Sequence, residues 1–473
     1  MSGGGASEKE GLFEGDPRLL PLVIATGLAL FAVQLDFFSV QTALPSMAAD
    51  LDTSVTSLQW VLSGYMLALA SFFVVGGRLG DILGRRRALL VGMAIFGGSS
   101  LVGGAAQSAE LVIVMRLVQG VGAAVLFPAC VAVVASAFPA AKVQRAVGVA
   151  FAVGAIGQGF GPVAGGLLTD LLSWRWVLWV NVPIAIVVIV IALRVVSESR
   201  DESVPRTIDW LGLVLIVASI GSFTYGIDLA ADDGWTAAST LSLIAIGLAL
   251  GLLLIAVEAR RRYPLLDLRL FRIRLFSVLT GAAGIANLGF GVFVLLAMIL
   301  LQDLEGLTPI EAGLAFLPFS AGIAIAAVLS GRLEDRRPWA VASLALALGA
   351  LGLIGAGATS GFVGFALFSA PAGLGMGLSF SYTQVITQTL VPSGQAGAAS
   401  GVVLTVAVGL GGVGVALASS LLDTGAEAEG VYTRSDLDPI FLACGIALAL
   451  AAPVVVLLTR GRGAEREAGE PPP

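Results

Sequence analysis

Of the 473 residues, 57% are hydrophobic and 12% are charged, and the mean hydropathy is +0.96. A water-soluble domain carries about 25% charged residues, so this chain cannot clothe a folded surface in water and takes lipid as its solvent. The net charge of −6 is segregated along the chain without a basic, aromatic-interleaved stripe, which excludes nucleic acid as a partner, and the lack of any histidine removes the commonest metal ligand and general base.

In chain order, residues 1–18 are rich in Gly, Ser and acid and are expected to form a disordered cytoplasmic tail. The first apolar run, 19–44, has no small-residue cleavage site and reads as a spanning helix, not a signal peptide. Further runs near the roughly 20 residues that cross a bilayer follow at 56–79, 88–106, 110–136, 145–168, 175–196, 210–229, 237–257, 276–302, 309–331, 339–358, 362–390, 396–421 and 438–459. They are continuously apolar and lack the alternation of barrel strands, so fourteen transmembrane helices are predicted. The two cysteines, Cys130 and Cys444, fall inside such runs and read as small buried hydrophobes. Residues 461–473 form a second charged, proline-ended tail.

Orientation follows from Lys and Arg placement. One set of loops holds Arg78, Arg85, Arg86 and Arg87, then Lys142 and Arg145, Arg200 and Arg206, Arg260 to Arg262, Arg269, Arg272, Arg274, Arg332, Arg336 and Arg337. The opposite loops carry Asp50, Asp52, Glu110, Asp170, Asp232, Asp233, Asp303, Glu305, Asp423, Glu427 and Glu429, with only Arg175 and Arg434 among them. Both termini are therefore expected in the cytoplasm, which an even number of helices also requires.

An internal echo divides the chain. Gly77-Arg78-Leu79-Gly80-Asp81 and Gly331-Arg332-Leu333-Glu334-Asp335 both read G-R-L-x-D and both end a helix on the basic side. The reading is all-α: a six-helix bundle over 19–199, a linker with two extra transmembrane helices over 200–275, and a second six-helix bundle over 276–460.

Gly77-x-Leu79-x-Asp81-x-x-Gly84-Arg85-Arg86-Arg87 resembles the signature of the major facilitator superfamily between its second and third helices. Leu35-Asp36-Phe37-Phe38-Ser39-Val40-Gln41-Thr42-Ala43-Leu44-Pro45 resembles the first-helix motif of its fourteen-helix drug:proton antiporters, with Gln41 where that motif usually has Asn. Arg116-x-x-Gln119-Gly120-x-Gly122 resembles the basic motif of the fourth helix, and Gly157-x-x-x-Gly161-Pro162-x-x-Gly165-Gly166 the fifth-helix motif of antiporters. Trp174-Arg175-Trp176, Asn181 and Pro183 suit the same branch, and the strong matches cover residues 35–183. The resemblance implies two bundles rocking about a midplane cavity, with Gly77, Asp81, Gly84, Arg85 and Arg86 as a gate latch.

A carboxylate inside a membrane helix costs about 2.5–3.5 kcal/mol on insertion scales and marks function or a charge partner. Asp36 lies nine residues before Pro45, about 13 Å along the helix, and Arg116 lies six residues after Glu110, about 9 Å, so the two share a depth. Asp36 is the candidate proton carrier and Arg116 its tuner, since burial favours a neutral carboxyl and a guanidinium the ionised one. The other reading is that the pair only pins helices. Gly157, Gly161 and Gly165 share a helix face for close packing, while Pro162 removes one backbone donor. Gln41, Tyr65, Gln119, Asn287, Phe290, Tyr382 and Gln384 are candidate cavity residues, with Gln59 and Gln388 beside them.

These readings lead to a proton-coupled exporter of small lipophilic or cationic organic compounds, with the proton as coupling ion and no metal, cofactor or enzymatic step. It is expected to work as a monomer in a bacterial inner membrane. A lipid, siderophore or nutrient carrier on the same scaffold is the alternative.

Overall fold

The computed structural model describes residues 12–13, 16–53, 58, 60–200, 209–261, 264, 268–307, 309–333, 337–359, 361–391, 396–425 and 433–459. Most of both predicted tails, Gln59, and Glu334 to Arg336 of the echo lie outside these residues. Among the described residues there is no strand. The helices are α1 (Leu19–Asp50), α2 (Trp60–Leu83), α3 (Arg85–Gly104), α4 (Ala109–Ala137), α5 (Ala140–Leu171), α6 (Arg175–Trp179), α7 (Asn181–Val195), α8 (Trp210–Asp233), α9 (Ala238–Glu258), α10 (Arg274–Met298), α11 (Pro309–Ser330), α12 (Pro338–Ala358), α13 (Gly361–Leu390), α14 (Ala396–Gly425) and α15 (Arg434–Thr459).

Among the described residues, thirteen spans are long and apolar enough to cross a membrane, and α14 adds a shorter apolar stretch over Ala399–Val415. One span is α6 and α7 together, Arg175–Val195. It breaks near Val180 because Pro183 has no N–H to return to the preceding turn. Two helix ends differ from the sequence reading. Helix α1 does not stop at Pro45 but continues to Asp50. Helix α2 carries Gly77 to Asp81 inside its last turns, so the chain reverses only at Gly84, whose φ of 110° suits a residue without a side chain.

The two six-span groups repeat one packing scheme. In the first, α1 lies on α5, α2 and α3 lie on α4, and α3 lies on α7. In the second, α10 lies on α14, α11 and α12 lie on α13, and α12 lies on α15. Small residues permit these approaches: a methyl at Gly122 would stand 2.8 Å from the Phe96 nitrogen, and one at Gly352 2.4 Å from Ala372 Cβ.

The groups meet along two matching seams. On one, α5 crosses α11, where a methyl at Gly148 would meet Ala327 O at 2.7 Å. On the other, α2 crosses α14, where Thr405 Oγ1 donates to Ala70 O at 3.3 Å. The α8–α9 hairpin flanks this second seam, with α8 touching both α2 and α14. At the end of the molecule where α1 begins, Val74, Leu215, Leu254, Phe276, Ala399 and Val402 join α2, the hairpin, α10 and α14 in one apolar cluster.

Candidate functional site

Asp36 sits within α1 with no solvent exposure, and Arg116 on α4 is 1% exposed. The Arg116 guanidinium pairs directly with Asp36 Oδ2. Three more donations define the cluster: Gln119 Nε2 to Asp36 Oδ1 at 2.9 Å, Asn181 Nδ2 to the same oxygen at 2.6 Å, and Arg116 Nη1 to Gln119 Oε1 at 2.7 Å. Ser100 Oγ accepts from Gln119 at 2.8 Å. Arg116 Nε anchors on Val61 O at 2.9 Å, and its guanidinium lies over the Tyr65 ring at 4.2 Å. Side chains of α4 and α7 thus meet on the α1 carboxylate, with α2 and α3 bracing the donors.

Removing one partner of such a buried pair strands the other charge and costs about 3–5 kcal/mol. The arrangement can therefore hold a proton or an ion pair on Asp36, but not a bare charge.

Beside this cluster lies a cavity of about 390 Å³ between the two groups. Of the predicted cavity residues, Gln41, Tyr65, Asn287 and Phe290 line it. Gln119, Tyr382 and Gln384 do not. Gln119 is spent on Asp36 and Arg116; Gln384 is buried within the second group, where its Oε1 accepts from Ser400 Oγ at 2.7 Å; Tyr382 is buried in that group's apolar core. Gln388, also on α13, reaches Ser400 at 3.5 Å. Two inter-group ring contacts bracket the cavity, Phe38 with Phe290 at 6.3 Å and Phe151 with Phe380 at 6.0 Å.

The fifth-span motif sets the position of Asp36. Gly157, Gly161 and Gly165 face α1, where added methyls would stand 2.4 Å from Phe31 O, Phe38 Cβ and Ser39 O respectively, or closer to Thr42 Oγ1 in the last case. Gly166 and Pro162 are buried in the same stretch. Only glycine allows α5 to carry α1, and with it Asp36, at this separation.

The signature after α2 is held inside its own group. Glu198, beyond α7, accepts from the Arg86 backbone N–H at 3.2 Å and pairs with Arg87 at 3.5 Å; Arg86 Nη2 donates to Leu193 O at 2.7 Å. The Arg85 N–H reaches Ser199 O at 2.9 Å. Asp81 and Arg85 are both buried, and Gly77 lies in the helix before them.

Sequence reasoning passed over Asn181 and Ser100 as site residues, and over Gln34, Gln158 and Glu198 altogether. Asn181 carried a signal, an amide within an apolar span; Gln158 lay inside a motif read only for its glycines. Among the described residues no three Cys, Asp or Glu side chains gather into a cation site.

Two helical groups around a central cavity, with a charge pair sealed in one wall, define a polytopic membrane transporter. The family model of the Major Facilitator Superfamily matches residues 26–416, and the chain belongs to that family, as the motifs over 35–183 implied. Multidrug resistance protein Stp of Mycobacterium tuberculosis is 36% identical over 81% of this chain and 72% of its own. Cephamycin export protein CmcT of Amycolatopsis lactamdurans is 33% identical over 91% of both chains. Puromycin resistance protein pur8 of Streptomyces alboniger is 32% identical over 93% of this chain and 90% of its own. The crystal structure of the human organic anion transporter MFSD10 superposes with a TM-score of 0.65 at 14% identity, covering 93% of this chain and all of that one, which shows the shared fold. The chain is a multi-pass membrane transporter and not an enzyme.

Proposed function

We propose that this chain exports small lipophilic or cationic organic compounds, drugs and antibiotics among them, in exchange for protons by alternating access. One observation carries the reading: Asp36 is fully buried beside an inter-group cavity, paired with Arg116 and accepting hydrogen bonds from the Gln119 and Asn181 amides. Protonating Asp36 dissolves the charge pair, and Arg116 then rests on Gln119, Val61 O and the Tyr65 face. Opening the cavity to one side or the other changes hydration around the carboxyl, so proton loading and release follow the rocking of the groups. The membrane potential adds about 2.3 kcal/mol per elementary charge per 100 mV.

The proton is the coupling ion, and no other cofactor enters this scheme. The names of the relatives, which speak of drug resistance and antibiotic export, support the cargo class. The Lys and Arg asymmetry supports both termini in the cytoplasm, and the bacterial relatives support an inner membrane. Each copy holds a complete cluster and cavity, which supports a working monomer.

The test is exchange in inverted vesicles, with a proton-sensitive dye and a panel of antibiotics. Asp36→Asn is expected to reach the membrane folded and to lose proton-driven export by at least about tenfold, about 1.4 kcal/mol in the barrier. Full proton-driven export by Asp36→Asn defeats the reading.

A further inference from the structure

Among the described residues, no charged side chain lines the cavity. Seven phenylalanines contribute to its wall, and its polar groups include Gln34, Gln41, Gln158, Thr224 and Asn287. Asp36 is near, but its oxygens are already occupied by Arg116, Gln119 and Asn181.

Two wall groups have unfilled hydrogen-bonding capacity. The Gln158 amide nitrogen and the Tyr65 hydroxyl have no hydrogen-bond partner, on side chains that are 2% and 0% exposed. Other amides of the wall are used differently. Gln34 donates to Gln158 Oε1 at 3.3 Å, which fixes the Gln158 side chain, and Asn287 donates to Ala283 O on its own helix at 3.0 Å. The Tyr65 ring is fixed in turn by Arg116 on one side and by stacking with Phe37 at 6.1 Å. A buried donor left unpaired costs about 1–3 kcal/mol. A ligand oxygen that accepts from it recovers that cost, whereas an apolar ligand does not.

We propose that this cavity selects uncharged lipophilic molecules bearing a carbonyl or similar acceptor oxygen, held by Gln158 and Tyr65, and rejects permanent cations. The inference rests on reading the cavity as the substrate site and chooses the uncharged end of the proposed cargo range. The magnitudes favour that end. Bringing a cation into a wall without an anion costs several kcal/mol in lost hydration, and aromatic faces return only about 0.5–2 kcal/mol.

The test uses the purified full chain in lipid nanodiscs, with ligand affinity read from the rise in thermal midpoint. Progesterone serves as an uncharged diketone, pregnane as the same skeleton without oxygen, and tetraphenylphosphonium as a lipophilic permanent cation. Progesterone is expected to bind at least tenfold tighter than either of the others. Gln158→Met and Tyr65→Phe each weaken it about tenfold. Tyr65→Phe removes one oxygen and keeps the ring, so it stays informative should Gln158→Met fold poorly. Equal affinity for the cation, unchanged progesterone affinity in the folded variants, or no binding of progesterone overturns the proposal. The measurement needs no proton gradient: lost exchange with retained progesterone selectivity defeats only the antiport, and proton-driven export of tetraphenylphosphonium without progesterone binding defeats only the ligand class.

Discussion

Arg434 occupies in the second helical group the place that Arg175 holds in the first. Arg175 opens α6, pairs with Asp50 at the end of α1, and donates to Ala106 O between α3 and α4 at 3.2 Å. Arg434 opens α15, pairs with Glu305 just past the end of α10 at 2.8 Å, and donates to Thr359 O between α12 and α13 at 2.6 Å. These are the two basic residues of otherwise acidic loops. Each clasps the first and last spans of its group to the turn between the middle pair.

The clasps are stabilising in a defined pH range. Hydrogen bonds from Arg175 and then Trp174 hold Asp50 below the usual carboxylate range, and those from Arg434 and the Gly361 N–H do so for Glu305. Carboxylates with a depressed folded value contribute fully above their unfolded values of 3.8 and 4.5, and the contribution disappears as the pH falls through the lower folded values. The pairs are partly exposed, so Arg175→Ala and Arg434→Ala should each cost only about 0–1 kcal/mol after solvent screening. Their effects should add in the double variant, since the sites are separate. Thermal midpoints at pH 7 and pH 3 check this: a deficit at pH 7 that narrows at pH 3 is expected.

Gly161 predicts a sharper effect. A Cβ there would stand 2.4 Å from Phe38 Cβ and 3.1 Å from Leu35 O, the residues on either side of Asp36 and its neighbour Phe37. Gly161→Leu must push α1 off α5 and take the carboxylate away from Arg116. Overpacking of this kind costs about 1–3 kcal/mol. The expected outcome in vesicles is lost exchange with a proton leak, and Gly161→Ala should fall between. Tight exchange by Gly161→Leu shows that this contact does not position Asp36.

Asn181 is expected to behave as part of the proton site and not as helix glue. Its amide nitrogen donates to Asp36 Oδ1 at 2.6 Å and also reaches Ser100 Oγ at 3.4 Å. A hydrogen bond to a charged group is worth about 1.5–3 kcal/mol. Asn181→Leu should slow exchange about tenfold and displace its pH profile. A lowered thermal midpoint with an unmoved pH profile assigns Asn181 to packing alone.

What was legible in the sequence follows from what apolar runs encode. They mark which segments enter lipid, and so the spans were readable, but they say little about where a helix stops once lipid no longer decides. Asp50 and Leu83 extend α1 and α2 beyond their apolar runs for that reason. Depth along a helix placed Asp36 level with Arg116. Depth cannot say which of two interiors a polar residue faces. Gln41 and Gln384 look alike in sequence, yet Gln41 meets the cavity between the groups and Gln384 meets Ser400 within one. Ser100 gave no sign at all, because a hydroxyl in a small-residue stretch can equally satisfy its own helix, as Ser99 does through Ile95 O.

Gly84 and Glu198 give the last prediction, because two different penalties meet there. The φ of 110° at Gly84 strains any residue with a side chain, and a Cβ would also stand 2.3 Å from Glu198 Oε1. Glu198 holds the Arg86 N–H and Arg87 together, so displacing it loosens the turn that joins α2 to α3. Gly84→Ala should therefore destabilise by about 1–3 kcal/mol from backbone strain, with the steric clash added. Glu198→Ala removes the clash but not the strain. In a double-mutant cycle the pair should then cost less than the sum of the singles, by about 0.5–3 kcal/mol. Strict additivity of the two thermal midpoint shifts means that Glu198 already yields to a methyl group and that the turn is held by its backbone alone.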